Sequence, residues 1–271
     1  MKKPTVSLLI STYNWPKALL RCLESVLNQT HLPDEILIAD DGSDSHTQSA
    51  IDNFSRNCSI PIRHFWQEDK GFRVAKIRNQ AISNAKMEYI IHIDGDMLIH
   101  PKFIEDHLRI CKSNTVIYGT RSLMNDALSQ EILNSTSPLN LPIKDKRIEK
   151  IYNQQRIIPL LYAFYFFKRN NSNHKYALGC NLSFWKKDFV EVNGYNEDFE
   201  GWGKEEEDLV LRLTNNNIKL RSLKFGGIGY HLFHKSSQRD SFDKNVSLLQ
   251  KSKKEKITYI ENGIIKSKNK P

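Results

Sequence analysis

The first apolar run, Thr5-Val6-Ser7-Leu8-Leu9-Ile10, is rich in aliphatic and β-branched residues and predicts a buried strand. The polar stretch Ser11-Thr12-Tyr13-Asn14 closes it, and Trp15-Pro16 opens a helix: proline suits a first helical turn, and Leu19, Leu20, Leu23, Val26 and Leu27 recur at helical spacing. A second strand, residues 35–39, ends in Asp40-Asp41-Gly42-Ser43-Asp44, and a polar helix then runs toward Phe54. A strand–helix–strand unit has parallel strands whose carboxyl ends face one crevice, so loops 11–14 and 40–44 should meet there. Asn14, Ser43 and Asp44 double as helix-capping residues.

Residues 61–66 predict a third strand, and Gly71-Phe72-Arg73-Val74-Ala75-Lys76-Ile77-Arg78-Asn79 the start of a helix. Tyr89-Ile90-Ile91-His92-Ile93 reads as a fully buried strand that ends abruptly in Asp94-Gly95-Asp96. A helix over 101–111 and a strand over 115–118 continue the β/α alternation of a doubly wound sheet. Residues 123–173 break that pattern, mixing polar stretches, Lys144, Lys146, Arg147 and Lys150, and the aromatic run 162–167. An insertion of this length suits a lid or acceptor platform, and the aromatic run suits a buried helix or a membrane-surface contact. Residues 177–184 read as a strand in which Gly179 permits close approach of a ligand or backbone. A strand over 218–225 follows, then a turn at Gly226-Gly227 and a strand or loop over 229–235. Beyond Asp240 the lysine-rich composition predicts a peripheral helix with a loose tail. The expected division is 1–120 and 121–240 as two halves of one domain, with 241–271 as a basic appendage.

With 271 residues, 39% of them apolar, the chain can bury one core, or a core and a smaller lobe. The net charge of +9 favours a polyanionic partner: nucleic acid, an anionic membrane surface or a phosphorylated substrate. Four dispersed cysteines lack the paired spacing of a zinc site and predict reduced thiols in a cytoplasmic protein. No apolar run reaches membrane-spanning length, and no signal peptide is read at the start.

Asp94 and Asp96, held at the end of a buried strand, can converge on a hard cation, although Asp-Gly-Asp also suits an ordinary turn. Arg73, Lys76 and Arg78 lie in the first turns of a helix, where the dipole disfavours cations, so they point to an external anion such as a diphosphate or to a solvated basic face. Tyr13 could stack on a base while Asp41 accepts a hydrogen bond from a ring N–H or a ribose hydroxyl. Trp202, between Gly201 and Gly203, offers an indole face to a sugar ring. Among the acids that follow, Glu206 shares a helical stripe with Leu209, Val210 and Leu213, so it should face the core edge as a general base, whereas Asp208 is spaced to pair with Arg212. A cation on Asp96 could complete its shell with an imidazole, His231 being favoured over His234.

Taken in order, Ser11-Thr12-Tyr13-Asn14, Asp40-Asp41-Gly42-Ser43, Gly71-Phe72-Arg73 with Arg78-Asn79, Asp94-Gly95-Asp96, Gly201-Trp202-Gly203-Lys204-Glu205-Glu206-Glu207-Asp208-Leu209 and His231-Leu232-Phe233-His234-Lys235 resemble an inverting family 2 glycosyltransferase of the GT-A fold, a Rossmann-like, doubly wound mixed α/β sheet. The second half is similar to the galactosyltransferase-type region shared by β-1,4-galactosyltransferases and bacterial chondroitin-type polymerases. The resemblance implies that Ser11, Tyr13 and Asp41 bind the nucleotide, usually uridine, and that Arg73, Lys76 or Arg78 lies near the diphosphate. It implies Asp94 on the nucleotide sugar and Asp96 with His231 or His234 on Mn²⁺ or Mg²⁺. The family's catalytic aspartate falls at Glu206, one methylene longer, with Glu205 as the alternative base. Trp202, Gly203 and Asn181 are implied on the acceptor side. The expected partners are a nucleotide-sugar donor, most simply a UDP-sugar, and a saccharide or glycolipid acceptor of bacterial surface polysaccharide synthesis, with peripheral contact at an anionic membrane and no nucleic acid. The rivals are a nucleotide- or nucleic-acid-binding module without turnover and a nucleotidyltransferase using the paired acids, which leaves Gly201-Trp202-Gly203 unexplained.

Overall fold

Strand β1 (Val6–Thr12) is buried at all seven positions, which requires helices on both of its faces. The computed structural model describes residues 3–141, 145–150, 156–167, 177–235 and 241–266, with only the backbone for 149–150 and 164–167. On either side of β1, β2 (Glu35–Asp40) and β4 (Tyr89–Asp94) run parallel to it. The period of two then divides the apolar side chains. Leu8, Ile10, Ile36, Ile38, Ile91 and Ile93 pack against α1 (Pro16–Leu27), α2 (Ser45–Ser55) and α4 (Phe103–Ile110). Leu9, Leu37, Ala39 and Ile90 pack against α3 (Val74–Ser83), α7 (Lys186–Glu191) and α8 (Glu205–Asn215).

Among the described residues the central sheet has seven strands. Parallel β3 (Ile62–Trp66) follows β2 at one edge. On the other side of β4 lies β9 (Leu182–Trp185), antiparallel to both β4 and β6 (Thr115–Tyr118), and β10 (Lys219–Ser222) completes the sheet beside β6. The strand expected over 218–225 is thus confined to four residues, and the helix expected from 101 begins at Phe103.

A second sheet, with four strands among the described residues, was not anticipated. It runs β5 (Met97–Ile99), β11 (Gly229–His231), β7 (Ser122–Met124) and β8 (Ile148–Lys150). Leu98, Met124 and Tyr230 share a core there with Leu128 and Ile132 of α5 (Asp126–Asn134), whose first turn is capped by Asn125. The region expected to break the β/α alternation thus contributes α5 and two strands of this sheet. Its aromatic run falls in α6 (Ile158–Phe167), where Leu161 is buried and Leu160 exposed. Lys144 and residues 168–173 lie outside the described residues. No helix among the described residues is long and apolar enough to cross a membrane, and the four cysteines are free thiols.

The expected loose tail is also corrected as far as residue 266. On α9 (Phe242–Lys254), Leu249 packs against Phe199 and Leu211. The segment after it is held by Asn193, whose Nδ2 donates to the carbonyls of Ile260 (2.7 Å) and Ile265 (2.9 Å). Lysine content alone misleads here, because the lysines face water while sparse apolar residues dock.

Arg212 is fully buried and holds α8 to the turn before it: Nε donates to Asp208 Oδ2 (2.8 Å), Nη1 to the Val192 carbonyl (2.8 Å) and Nη2 to the Gly194 carbonyl (2.7 Å). Removing one partner of such a pair leaves the other charge buried and uncompensated. Arg212→Ala should cost about 3–5 kcal/mol in urea unfolding, and a loss under about 1 kcal/mol, the range of an exposed pair, would contradict this role.

Candidate active site

Strand register brings the chemistry to one edge. In the β1–β4 pair Ser11 lies opposite Asp94, and in the β1–β2 pair Thr12 lies opposite Asp40, so the three carboxyl ends come together as a doubly wound sheet requires. Loops 11–14 and 40–44 do meet: Asn14 N–H donates to Ser43 Oγ (2.8 Å), and Asp44 N–H donates to Asn14 Oδ1 (2.8 Å). Asp44 caps α2, but Asn14, at φ 44°, does not cap α1.

On this rim Asp41 is buried. It accepts from Gln67 Nε2 and from the Arg73 amide (2.8 Å), and burial raises its pKa against those two donors. Tyr13 is exposed, with its hydroxyl donating to Asp69 Oδ2 (2.9 Å). Gly42, at φ +99°, lies so close to the Asp69 backbone that a Cβ would be 2.6 Å from its Cα. Lys76 is exposed on α3, whereas the Arg73 guanidinium turns back to the Glu68 carbonyl.

Arg78 behaves differently from its two basic neighbours. It is 3% exposed, and its guanidinium is surrounded by acids: Nη1 lies 2.9 Å from Glu206 Oε1 and 3.3 Å from Glu205 Oε1, and Nη2 lies 3.5 Å from Asp94 Oδ1. Its Nε donates to Ser11 Oγ (3.0 Å), which leaves the Ser11 hydroxyl hydrogen for His92 Nε2 (3.0 Å). Burial holds His92 well below its ordinary value, so it is a neutral acceptor here. Tyr195 closes the cluster, its ring 5.5 Å from the Arg78 guanidinium and its hydroxyl 3.4 Å from His92 Nδ1. Ser11 and Arg78, both expected on the donor, thus spend the hydrogen bonds described here inside the protein. His92 and Tyr195 were not singled out in the sequence. The signal for Arg78 was available: on a helical period it falls in the buried stripe with Val74, Ala75, Ala81 and Ile82.

Glu205 and Glu206 differ in environment. Glu205 is 4% exposed, and burial, then the adjacent Glu206 charge, pushes its carboxyl up to about 8. Glu206 is less buried and rests on Gly179, where a Cβ would stand 2.3 Å from Glu206 Oε1. At Gly179, where close approach of a ligand or backbone was expected, the near neighbour is this side-chain carboxylate. Asn181 requires a correction. It is fully buried, Nδ2 donates to the Thr120 (2.9 Å) and Gly227 (2.8 Å) carbonyls, and Oδ1 accepts from His107 Nε2 (3.0 Å). Its amide has no hydrogen left for an acceptor.

The second sheet assembles the other acidic site. Antiparallel pairing sets His231 opposite Met97, and Leu232 N–H donates to the Asp96 carbonyl (3.0 Å), so a histidine 135 positions away in sequence lies beside Asp96. His231 Nε2 and His234 Nε2 each lie 3.3 Å from Asp96 Oδ2, and one ligand atom from each of the three residues falls within 4.8 Å of the others. The residues fit a divalent cation on two further observations. Asp96 Oδ1 is buried and makes no hydrogen bond. His234 Nδ1 sits 2.7 Å from the Lys235 carbonyl, which requires a hydrogen on Nδ1 and leaves Nε2 its lone pair in the neutral ring. Burial lowers His231 to about 4, so its ring is neutral at pH 7, whereas the hydrogen bond to Asp96 raises His234 above its ordinary value. Burial raises Asp96, but His231 and His234 outweigh that and hold it below the ordinary carboxylate value.

The two acidic sites adjoin at Asp94. Burial raises its pKa, Arg78 opposes the rise, and Asp96 on one side and Glu206 on the other add to it. Arg121, which nothing in the sequence pattern marked, places Nη1 3.1 Å from Cys180 Sγ and adds positive potential at both Asp94 and Asp96. Trp202 is 39% exposed just before α8, in a loop where Gly201 and Gly203 have φ of +75° and +98°.

Residues 7–183 match the family model described as glycosyl transferase family 2. The chain belongs to that family. Residues 159–235 also match a model described as the N-terminal domain of galactosyltransferase. As a family 2 chain it is similar to chondroitin synthase of Escherichia coli, 27% identical over 83% of this chain and 34% of that protein, so it spans about a third of that relative's length. Two solved structures share its fold: GalNAc-T7 with UDP, GalNAc and Mn²⁺ (TM-score 0.63, 16% identity, 91% of this chain and 48% of that one) and the mannosyltransferase PcManGT of Pyrobaculum calidifontis with GDP-Man and Mn²⁺ (0.60, 14%, 87% and 59%). The doubly wound mixed sheet of this family 2 chain is the GT-A fold.

The ligand set yields a direct expectation. Mn²⁺ binding measured by calorimetry should weaken by more than about tenfold in Asp96→Ala and in His231→Ala. Unchanged affinity in both variants would remove the assignment.

Proposed function

We propose that the chain transfers a sugar from a nucleotide-sugar donor, most simply a UDP-sugar, to a saccharide acceptor in one inverting displacement. The observation that carries the proposal is the adjacency of two groups at one sheet edge: the Asp96–His231–His234 cluster and the Arg78-held carboxylates, which adjoin at Asp94. A metal-binding set alone would suit many activities. A basic carboxylate beside it is what transfer to a hydroxyl needs.

Glu206 is the base in this reading. Its Oε1 lies 2.9 Å from Arg78 Nη1 and it is the more exposed of the two glutamates, while burial leaves the proton of the pair on Glu205, so Glu206 is the carboxylate placed to meet an acceptor hydroxyl. It removes the acceptor hydroxyl proton as that oxygen attacks the anomeric carbon opposite the departing nucleotide. Tyr13 and Asp41 line the nucleotide end, and Arg73 with Lys76 supplies positive charge on the same rim. Asp96, His231 and His234 would hold Mn²⁺ or Mg²⁺, which when bound neutralises charge on a diphosphate leaving group. Trp202 and Gly203 present the acceptor-facing surface, with the indole covering an apolar sugar face. The relatives' names support a polysaccharide context, since the similar Escherichia coli protein is a chondroitin synthase. Contact with an anionic membrane surface is in keeping with the net charge of +9.

The activity is tested by incubating the protein with Mn²⁺, a mixture of UDP-sugars and a panel of p-nitrophenyl glycosides, and reading product masses. A glycoside heavier by one sugar residue, with UDP released, is expected. Pyrophosphate release from a nucleoside triphosphate instead would favour a nucleotidyltransferase. Glu206→Gln should lower kcat by about 10²–10⁴-fold with UDP binding intact, whereas Glu205→Gln, which mimics the protonated acid, should retain turnover to within about tenfold. The reverse ranking would transfer the base assignment to Glu205.

Glu205 also gives a pH dependence. Between its ordinary 4.5 and about 8 the folded protein keeps a proton that the unfolded chain has released, so this residue makes stability fall as pH rises across that window. Thermal unfolding of Glu205→Gln should therefore show a shallower decline between those pH values than the wild type. An identical slope would contradict the raised proton affinity.

A further inference from the structure

The Trp202 loop has a conformation that its own sequence does not enforce. Gly201, Gly203 and Lys204 all have positive φ, +75°, +98° and 82°, and lysine at such an angle is held there by its surroundings. What surrounds the loop is largely α9. Asn245 is fully buried, and its Nδ2 donates to the carbonyls of Glu200 (3.1 Å) and Gly203 (2.9 Å), bracketing the loop from both sides. Two carbonyls facing one amide fix which way round it sits, because only the NH₂ end can serve both. Ser241 fills the space beside Gly201, where a Cβ would stand 2.7 Å from the Ser241 Cβ. Phe242 stacks on Trp202 with ring centroids 5.9 Å apart and planes inclined by 23°, and Lys204 Nζ lies 5.7 Å from the Phe242 ring. Leu249, farther along α9, packs on Phe199 and on Leu211 of α8, the helix that begins with Glu205 and Glu206.

We propose that α9 is the support that sets the acceptor loop relative to the base, with Phe242 and Asn245 as positioning residues for acceptor binding. Both family matches end by residue 235, so this part lies outside the segments the family models describe. Phe242 backs the indole of Trp202, a residue 39% exposed. Asn245 fixes the two carbonyls between which Trp202 is suspended. Because α9 touches Trp202 through Phe242 and α8 through Leu249 on Leu211, it sets the loop relative to the helix that carries Glu206. The inference rests on the proposed contact of Trp202 with the acceptor.

The test uses the full chain with Mn²⁺, comparing transfer to the p-nitrophenyl glycoside that the wild type uses best with UDP release in the absence of any glycoside. Phe242→Ala and Asn245→Ala should each raise the acceptor KM by roughly five- to tenfold, while donor KM and acceptor-free UDP release stay within about twofold. Phe242→Tyr, which keeps the stacked ring, should restore the acceptor KM. Amide hydrogen exchange over residues 199–204 should quicken in both alanine variants with β1 and β4 protected as before. Unchanged exchange in that segment overturns the proposal whatever the acceptor. If Trp202→Ala raises the acceptor KM and neither alanine variant does, the support is wrong and the acceptor reading stands. Should Trp202→Ala leave the acceptor KM unchanged, the acceptor reading fails and this inference fails with it.

Discussion

One buried guanidinium organises the site. Arg78 lies within 3.5 Å of oxygens from Glu206, Glu205 and Asp94, and its Nε is fixed from behind by Ser11. Three carboxylates this close to one another would repel in a low dielectric, and a cation at their centre is what permits the arrangement. It does not satisfy all of them equally. Glu205, the deepest, keeps its proton, while Glu206, nearer the crevice, takes the shortest of the three contacts. Burial and the neighbouring Glu206 charge, working against Arg78, are what keep the proton on Glu205. Ser11, neutral His92 and Tyr195 form a polar backing that keeps the guanidinium in place.

That centre depends on two different kinds of architecture. The parallel strands β1 and β4 deliver Ser11 and Asp94 by register, and α3 and α8 deliver Arg78 and the two glutamates from the same side of the sheet. The small second sheet delivers the metal-type cluster, because β5 follows Asp96 directly and pairs with the strand that ends at His231. Gly95 joins the two systems in a single residue, its N–H donating to the Ser11 carbonyl (2.7 Å). Charge in the Asp96–His231–His234 cluster and charge in the Arg78 cluster are thus coupled through Asp94, which feels Asp96 and Glu206 at once.

Much of this was legible in the residues. Continuous runs of aliphatic and β-branched residues identified β1, β2 and β4, and their endings in Asp41 and Asp94 marked the functional edge. Glu206 was legible from its place over Leu209, Val210 and Leu213, all of them buried. The three-residue strands β5, β7 and β11 were not, since three positions carry no periodicity and their pairing is set by partners far along the chain. Arg78 was read with Arg73 and Lys76 as part of a basic run, although the three fall on different faces of one helix. Asn181 was taken from resemblance alone, and burial with a complete set of hydrogen bonds gives it a structural part. The ordered C-terminal segment was hidden by its lysines: Asn245, Leu249 and Ile260 dock it, and isolated residues of that kind give a weak signal in a polar stretch.

The central claim is that a cation at Asp96 and a carboxylate at Glu206 serve one reacting centre. Anomalous diffraction from crystals grown with Mn²⁺ and UDP tests it most directly. The account predicts a single manganese peak in contact with Asp96 and at least one of His231 and His234, with UDP phosphate oxygens on the metal and the Glu206 carboxylate opening into the same crevice. Manganese bound elsewhere, or a diphosphate walled off from Glu206 by protein, would contradict it.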